Sequence, residues 1–268
     1  MTGLNLNTKE VQEPATGYGA KWVFKSSDEL QRSINEVLVE SELKEALIRL
    51  NPDIAAKPEL ADEVIYKLRA VLIAVNQVGL VKANEEFFKW MTGEKTMPFG
   101  NNNRHVPIRL IDFEELSNNN YIVTNQYRIH HRETKIPDVV MMINGIPVVV
   151  GEAKTPIRPS VSWLDGAHEV HDIYENAVPQ LFVPNILSFA TEGKELYYGA
   201  VRCPLEFWAP WRLENDEDAI AKRLGLGEVG KELSDLLSPT RLLDIMRNFS
   251  LFSTDKKKRR IKIIPRFQ

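Results

Sequence analysis

The sequence predicts an α/β fold, a central mixed β-sheet flanked by helices with a helical region at the N-terminus. Three observations carry this. Over the first hundred residues apolar side chains recur at the spacing of amphipathic helices. After Gly100 the pattern changes to short β-branched and aromatic runs separated by turn residues. From residue 164 onward helical and strand patterns alternate, the arrangement that covers a sheet with helices.

The elements follow in order. Residues 1–20 are polar, carry Gly and Pro, and read as a tail. Ser26-Ser27-Asp28-Glu29 has the form of a capping box, in which the hydroxyl and the carboxylate satisfy the first free amides. Leu30, Ile34 and Leu38, then Leu43, Leu47 and Leu50, continue at helical spacing until Asn51-Pro52 breaks the run. Pro58 suits the start of a second helix with the stripe Leu60, Val64, Leu68, Leu72 and Val75. A third covers 83–91 and stops near Gly93. Strands are expected over 106–113 and 121–130, around a turn at Ser117-Asn-Asn-Asn120. Asn144-Gly145 between two apolar runs is the strongest hairpin signal in the chain. Residues 155–162, with two prolines, read as a loop, 164–178 as a helix, and 186–190, 196–201 and 206–208 as strands. A last helix is expected over 233–249.

Composition narrows the function classes. The 268 residues are 26% charged with a net charge of −3, so any nucleic-acid surface is local rather than global. The single Cys203 excludes an internal disulfide framework and fits a reducing compartment. No apolar run reaches membrane-spanning length, and the N-terminus does not read as a signal peptide, so a cytoplasmic protein with no membrane partner is expected. A domain division of 1–20 (tail), 21–100 (helical part), 101–250 (catalytic core) and 251–268 (basic linker) is expected.

The chemistry concentrates at the central hairpin. Asp138 opens its first strand, and Glu152 and Lys154 end the second, two positions apart and so on one face. Charged groups at the ends of apolar strands are expensive unless paired, and a strand-end ion pair is the plain structural reading. The sharper reading is phosphodiester hydrolysis. Mg²⁺ prefers one or two carboxylates and keeps several waters, which Asp138 and Glu152 satisfy with the Ala153 carbonyl as a third oxygen. The Lys154 ammonium would then orient or deprotonate the attacking water or stabilise developing charge. Geometry imposes a condition. In a regular two-residue hairpin Asp138 opposes Gly151 and Glu152 points to the other face. The site therefore requires an irregularity, and Pro147, which has no amide to donate, is its natural place.

Pro137-Asp138 followed by Glu152-Ala-Lys154 resembles the PD-(D/E)xK nuclease signature. The surrounding stretches Arg104-His-Val-Pro-Ile-Arg-Leu-Ile-Asp-Phe113, Asn119-Asn-Tyr-Ile-Val-Thr-Asn-Gln-Tyr127, Val140-Met-Met-Ile-Asn-Gly-Ile-Pro-Val-Val-Val-Gly-Glu-Ala-Lys-Thr-Pro156 and Pro179-Gln-Leu-Phe-Val-Pro-Asn-Ile-Leu-Ser-Phe189 are similar to the N-terminal nuclease region of type I restriction enzyme R subunits. The resemblance implies a restriction-endonuclease-like fold and Mg²⁺-dependent cleavage of double-stranded DNA, with Mn²⁺ able to substitute. It also implies an ATP-dependent motor and assembly with methylation and specificity subunits. No Gly-x-x-x-x-Gly-Lys-Ser/Thr phosphate loop occurs here, so ATP belongs to a motor outside these residues, and Arg266-Phe267-Gln268 resembles the approach to it. One departure stands out. The family usually carries a Gln four positions before a Tyr in the helix after the catalytic Lys; here Tyr174 is present, Val170 holds the Gln position, and His171 follows. If that amide positions DNA or the site, either His168 or His171 substitutes for it or activity is reduced. Tyr174, His171, Lys256, Lys257, Lys258, Arg259 and Arg260 are the candidate DNA contacts, the basic run having a solvated linker as its plain reading. The alternative function is a catalytically silent nuclease-like module that binds DNA or docks a partner. A metal-independent hydrolase using Cys203 or a serine lacks the partner residues such chemistry needs.

Overall fold

The computed structural model describes residues 21–155, 161–212 and 227–265. Among them the main sheet has seven strands: β1 (Trp22–Phe24), β4 (Tyr121–Asn125), β7 (Val139–Ile143), β8 (Ile146–Ala153), β9 (Leu187–Thr191), β10 (Leu196–Gly199) and β11 (Ala209–Pro210), in that spatial order. The sheet is mixed: β1–β4 and β8–β9 are parallel, and the remaining neighbours are antiparallel. Its centre is apolar on both faces. Val140 to Ile143 and Ile146, Val148, Val149 and Val150 are all buried, which is why these runs read as continuous rather than alternating.

Helices cover the sheet. α1 (Glu40–Leu50), α2 (Pro52–Ala56), α3 (Leu60–Val78) and α4 (Leu80–Met91) form the N-terminal layer, and the stripe of Val64, Leu68, Leu72 and Val75 faces inward as its spacing predicts. The parallel β8–β9 pair needs a crossover, and a helix spanning Trp163 to Ala177 provides it, packed on β8, β9 and β10. Its first segment is α5 (Trp163–His168) and its last is α6 (Glu175–Ala177); the turn between them, Glu169–Tyr174, is π-helical. The chain continues through α7 (Glu228–Leu236) and α8 (Pro239–Asn248) to a hairpin of β12 (Leu251–Thr254) and β13 (Arg260–Ile263). Two further small pairs are β2 (Thr96–Gly100) with β3 (Arg104–Pro107), and β5 (Ile129–His130) with β6 (Thr134–Lys135).

Several expectations are corrected. The capping box at Ser26 and Glu29 forms, yet only a single 3-10 turn follows it. Residues 30–39 are not a helix, and Leu30, Ile34 and Leu38 share no helical face. Tertiary bonds win over local spacing here: Tyr127 Oη donates to the Val37 carbonyl (3.0 Å), Val39 N donates to the Gly145 carbonyl (2.9 Å), and the Arg32 guanidinium lies 3.5 Å over the Tyr127 ring. Residues 106–113 are strand only through Pro107. Beyond it Asn51 holds both polar groups of the Arg109 backbone, at 2.8 and 2.9 Å, in place of a ladder. Residues 206–208 fall largely in a 3-10 turn (Leu205–Phe207) preceding β11. The 233–249 helix is two helices, because Pro239 has no amide to continue the first and Ser238 caps the second. The loop expected over 155–162 lies partly outside the described residues.

The stretch expected as a basic linker is a docked hairpin over 251–263. Asp255 turns it by accepting from the amides of Lys257 and Arg259 at 2.9 and 2.8 Å. Arg260 pairs with Glu85 of α4, Lys256, Lys257 and Lys258 are exposed at the tip, and Lys262 is buried.

Candidate active site

The hairpin turn has Asn144 at φ 52° and Gly145 at φ 76°, the left-handed pair of a type I′ connection. Asn144 is fully buried; its side-chain amide donates to the Leu110 carbonyl (2.8 Å) and Asn119 Oδ1 (2.9 Å), and its oxygen accepts from Asn120 N (2.8 Å). From this anchored turn the register runs Ile143 to Ile146 and Met142 to Pro147, then jumps to Met141 opposite Val149. Val148 is the extra residue of a bulge directly after Pro147. Val139 consequently opposes Gly151, and the next step brings Asp138 beside Glu152. The geometric condition set by the sequence is met where the proline predicts it.

The bulge assembles the charged groups. Asp138 Oδ2 accepts from Ala153 N (3.0 Å), and Glu152 Oε2 lies 3.4 Å from Asp138 N. Lys154 Nζ donates to Glu152 Oε1 at 2.7 Å. Two groups join them that sequence reasoning missed. Gln126, following β4, donates from Nε2 to Asp138 Oδ1 (2.8 Å) and from its backbone amide to the Asp138 carbonyl (3.0 Å). Glu169, on the π-turn, pairs with Lys154 through Oε2 and accepts from Tyr174 Oη through Oε1 (2.9 Å). Tyr174 Oη is also 3.3 Å from Glu152 Oε2. The only available signal for Glu169 was an acidic residue in the helix after Lys154, and its spacing from Tyr174 does not match an α-helical face.

The electrostatics reflect crowding. Glu152 is 3% exposed, and burial, reinforced by Asp138 and Glu169, pushes its carboxyl up to about 7 against the opposing hydrogen bond from Lys154. Burial opposes the Lys154 charge, but the bonds to Glu152 and Glu169 outweigh it and raise that ammonium above its ordinary value. Burial would likewise raise Glu169, and the bonds from Lys154 and Tyr174 pull it below the usual carboxylate range.

His168 and His171 bond elsewhere. Their Nδ1 atoms share Asp172, at 2.6 and 2.7 Å, and Val170 is fully buried in the core. The acidic residues at the start of α1 also have other partners, Glu40 pairing with Arg69 and Glu42 with Lys25. Among the described residues no group of three His, Cys, Asp or Glu side chains converges to hold a metal ion. Asp138 and Glu152, side by side through the bulge, are neighbouring carboxylates that could hold one together with a backbone carbonyl. That set fits Mg²⁺, which keeps most of its waters, and the mutual repulsion by which Asp138 and Glu169 help raise Glu152 is negative charge that a cation would offset.

The sequence profile described as type I restriction enzyme R protein N terminus (HSDR_N) matches residues 13–207. The chain belongs to this family. The matched span includes Asp138, Glu152, Lys154 and the helix carrying Glu169 and Tyr174, and ends before α7, α8 and the C-terminal hairpin. The chain is 29% identical over 236 residues to the type I restriction enzyme HindI endonuclease subunit of Haemophilus influenzae, covering 86% of this chain and 22% of that protein. It is 30% identical over 162 residues to the putative type I restriction enzyme MjaVIIIP endonuclease subunit of Methanocaldococcus jannaschii, covering 60% of this chain and 15% of that one. The chain thus spans less than a quarter of the length of these relatives. Among its described residues no helix is long and apolar enough to cross a membrane.

Proposed function

We propose that this chain is the DNA-cleaving domain of an ATP-dependent type I restriction enzyme, hydrolysing phosphodiester bonds of double-stranded DNA with Mg²⁺ at the Asp138–Glu152–Lys154 site. The observation that carries the reading is the bulge at Val148, because without it the two carboxylates would lie on opposite faces of the sheet. A structural ion pair alone does not require such an irregularity in a buried strand pair. Asp138, Glu152 and the Ala153 carbonyl would hold the ion. When bound, it would supply Lewis acidity and a water made more acidic. Lys154, a quarter exposed beside the buried Glu152, would stabilise charge on the attacked phosphate. Endonuclease subunit appears in the names of both relatives described above, which supports the same reading. The ATP-driven motor, the methylation and specificity subunits and a cytoplasmic location belong to this proposal for the whole protein.

The test uses the full-length subunit assembled with its partners, wild type against Lys154→Ala, following plasmid cleavage and ATP hydrolysis together in Mg²⁺. Cleavage lost with ATP hydrolysis retained is the expected result. Cleavage retained would leave the domain a silent module for DNA binding or docking.

A further inference from the structure

We propose that Glu169 is a positioning residue for Lys154, presented by the π-helical turn; the inference deepens the nuclease reading and rests on it. Residues five apart are about 140° apart around an α-helix and cannot share a face. The Glu169–Tyr174 turn is π-helical, with the Glu175 amide reaching back five residues to the Val170 carbonyl. This rotation brings Glu169 and Tyr174 together, with the Tyr174 hydroxyl on Glu169 Oε1 at 2.9 Å. That bond fixes one carboxylate oxygen and leaves Oε2 for the Lys154 ammonium. Lys154 thus bridges Glu152 and Glu169, and the Tyr174 hydroxyl that bonds Glu169 lies 3.3 Å from Glu152 Oε2.

The two carboxylates on Lys154 are not equivalent. The Glu152 side chain is 5% exposed and that of Glu169 32%, so Glu152 holds the ammonium from the core side and Glu169 from the side open to solvent. Glu152 also neighbours Asp138, 3.4 Å from its amide, and under the nuclease reading has a second task there. A lysine tied to Glu152 alone would compete with that task. Glu169 supplies a second anchor and keeps Lys154 at the site while leaving Glu152 available. The Tyr174 hydroxyl, with one proton to give, secures the anchor rather than touching DNA.

The experiment compares wild type, Glu169→Gln, Glu169→Asp and Lys154→Ala in the full-length subunit assembled with its partners. Four readouts are taken: single-turnover cleavage at saturating DNA, DNA affinity, ATP hydrolysis as a measure of folding and assembly, and acetylation of Lys154 by acetic anhydride read by mass spectrometry. Glu169→Gln should cleave about 100-fold more slowly, the scale of loss expected from a misplaced catalytic group, with DNA affinity and ATP hydrolysis unchanged. Its Lys154 should acetylate faster than wild type, and Glu169→Asp, which keeps the charge, should recover part of the cleavage and of the protection. Glu169→Gln cleaving at the wild-type rate while Lys154→Ala is inactive would overturn the inference and leave the nuclease reading standing. Glu169→Asp no better than Glu169→Gln, or Lys154 acetylation equal in wild type and both Glu169 variants, would overturn it as well. Cleavage by Lys154→Ala would instead remove the nuclease reading beneath it.

Discussion

Asp138 has both carboxylate oxygens engaged, one by the Ala153 amide and the other by Gln126, a residue in the left-handed backbone region at φ 49°. A non-glycine residue there is strained by about 1–3 kcal/mol, and its two hydrogen bonds to Asp138 are what hold it. Gln126→Gly separates the two effects. Glycine relieves the backbone strain while the side-chain amide is lost, so thermal unfolding should occur no lower than in wild type. Cleavage should still fall roughly tenfold, as when a group orienting a site residue is removed. Equal cleavage rates would show the amide to be idle. At this scale the grouping of Asp138, Glu152 and Lys154 was legible because residue type and spacing put them at neighbouring strand ends. Gln126 was not, since its partner lies across the β4–β7 pair, and Glu169 was not, since only a π-turn gives its spacing meaning.

Elements were legible where local and tertiary preferences agree. The Asn144-Gly145 turn, the neighbouring Pro147 and the two apolar runs together specify the hairpin and the place of its bulge, and the α3 stripe specifies that helix. Reading failed where a distant partner decides. Nothing local to residues 30–39 reveals that Val39 will bond the Gly145 carbonyl, and that contact ends any helix before Glu40. The same contact makes the turn unusually intolerant of change. A Cβ on Gly145 would lie 2.4 Å from the Val39 carbonyl oxygen and 3.1 Å from Leu43 N, at a positive φ that side chains disfavour. Gly145→Ala should therefore destabilise the chain by roughly 2–4 kcal/mol, from backbone strain plus overpacking. Urea denaturation measures this, and a shift below 1 kcal/mol would mean that α1 yields without loss.

The whole molecule is tied together by buried ionisable side chains that no sequence pattern announces. Glu175, on the crossover helix, accepts from the Arg202 amide at 3.2 Å and pairs with its side chain at 3.3 Å. Lys262, on the C-terminal hairpin, donates to the Asn185 and Ile186 carbonyls at 2.8 Å and sits 3.9 Å from the centre of the Phe88 ring. The hairpin, the N-terminal helices and the segment leading into β9 thus meet at one lysine, which is why 251–263 is docked rather than free. Burial dominates both groups, raising the Glu175 carboxyl from 4.5 to about 8 against the pull of Arg202, and drawing Lys262 well below its ordinary value. The consequences for stability have opposite signs. Between 4.5 and about 8 the unfolded chain has lost the Glu175 proton while the folded chain keeps it, so this group makes stability fall as pH rises. Above the lowered folded value of Lys262 and up to 10.5, the unfolded chain holds a proton there that the folded chain lacks, so stability rises with pH. In wild type the two slopes oppose each other wherever these ranges overlap. Glu175→Gln removes the falling one and leaves a neutral side chain of similar shape. The stability difference between variant and wild type should therefore shift in favour of the variant as pH goes from 5 to 8, read by urea denaturation at each pH. A difference independent of pH would show that Glu175 is already ionised in the folded chain, with Arg202 outweighing burial.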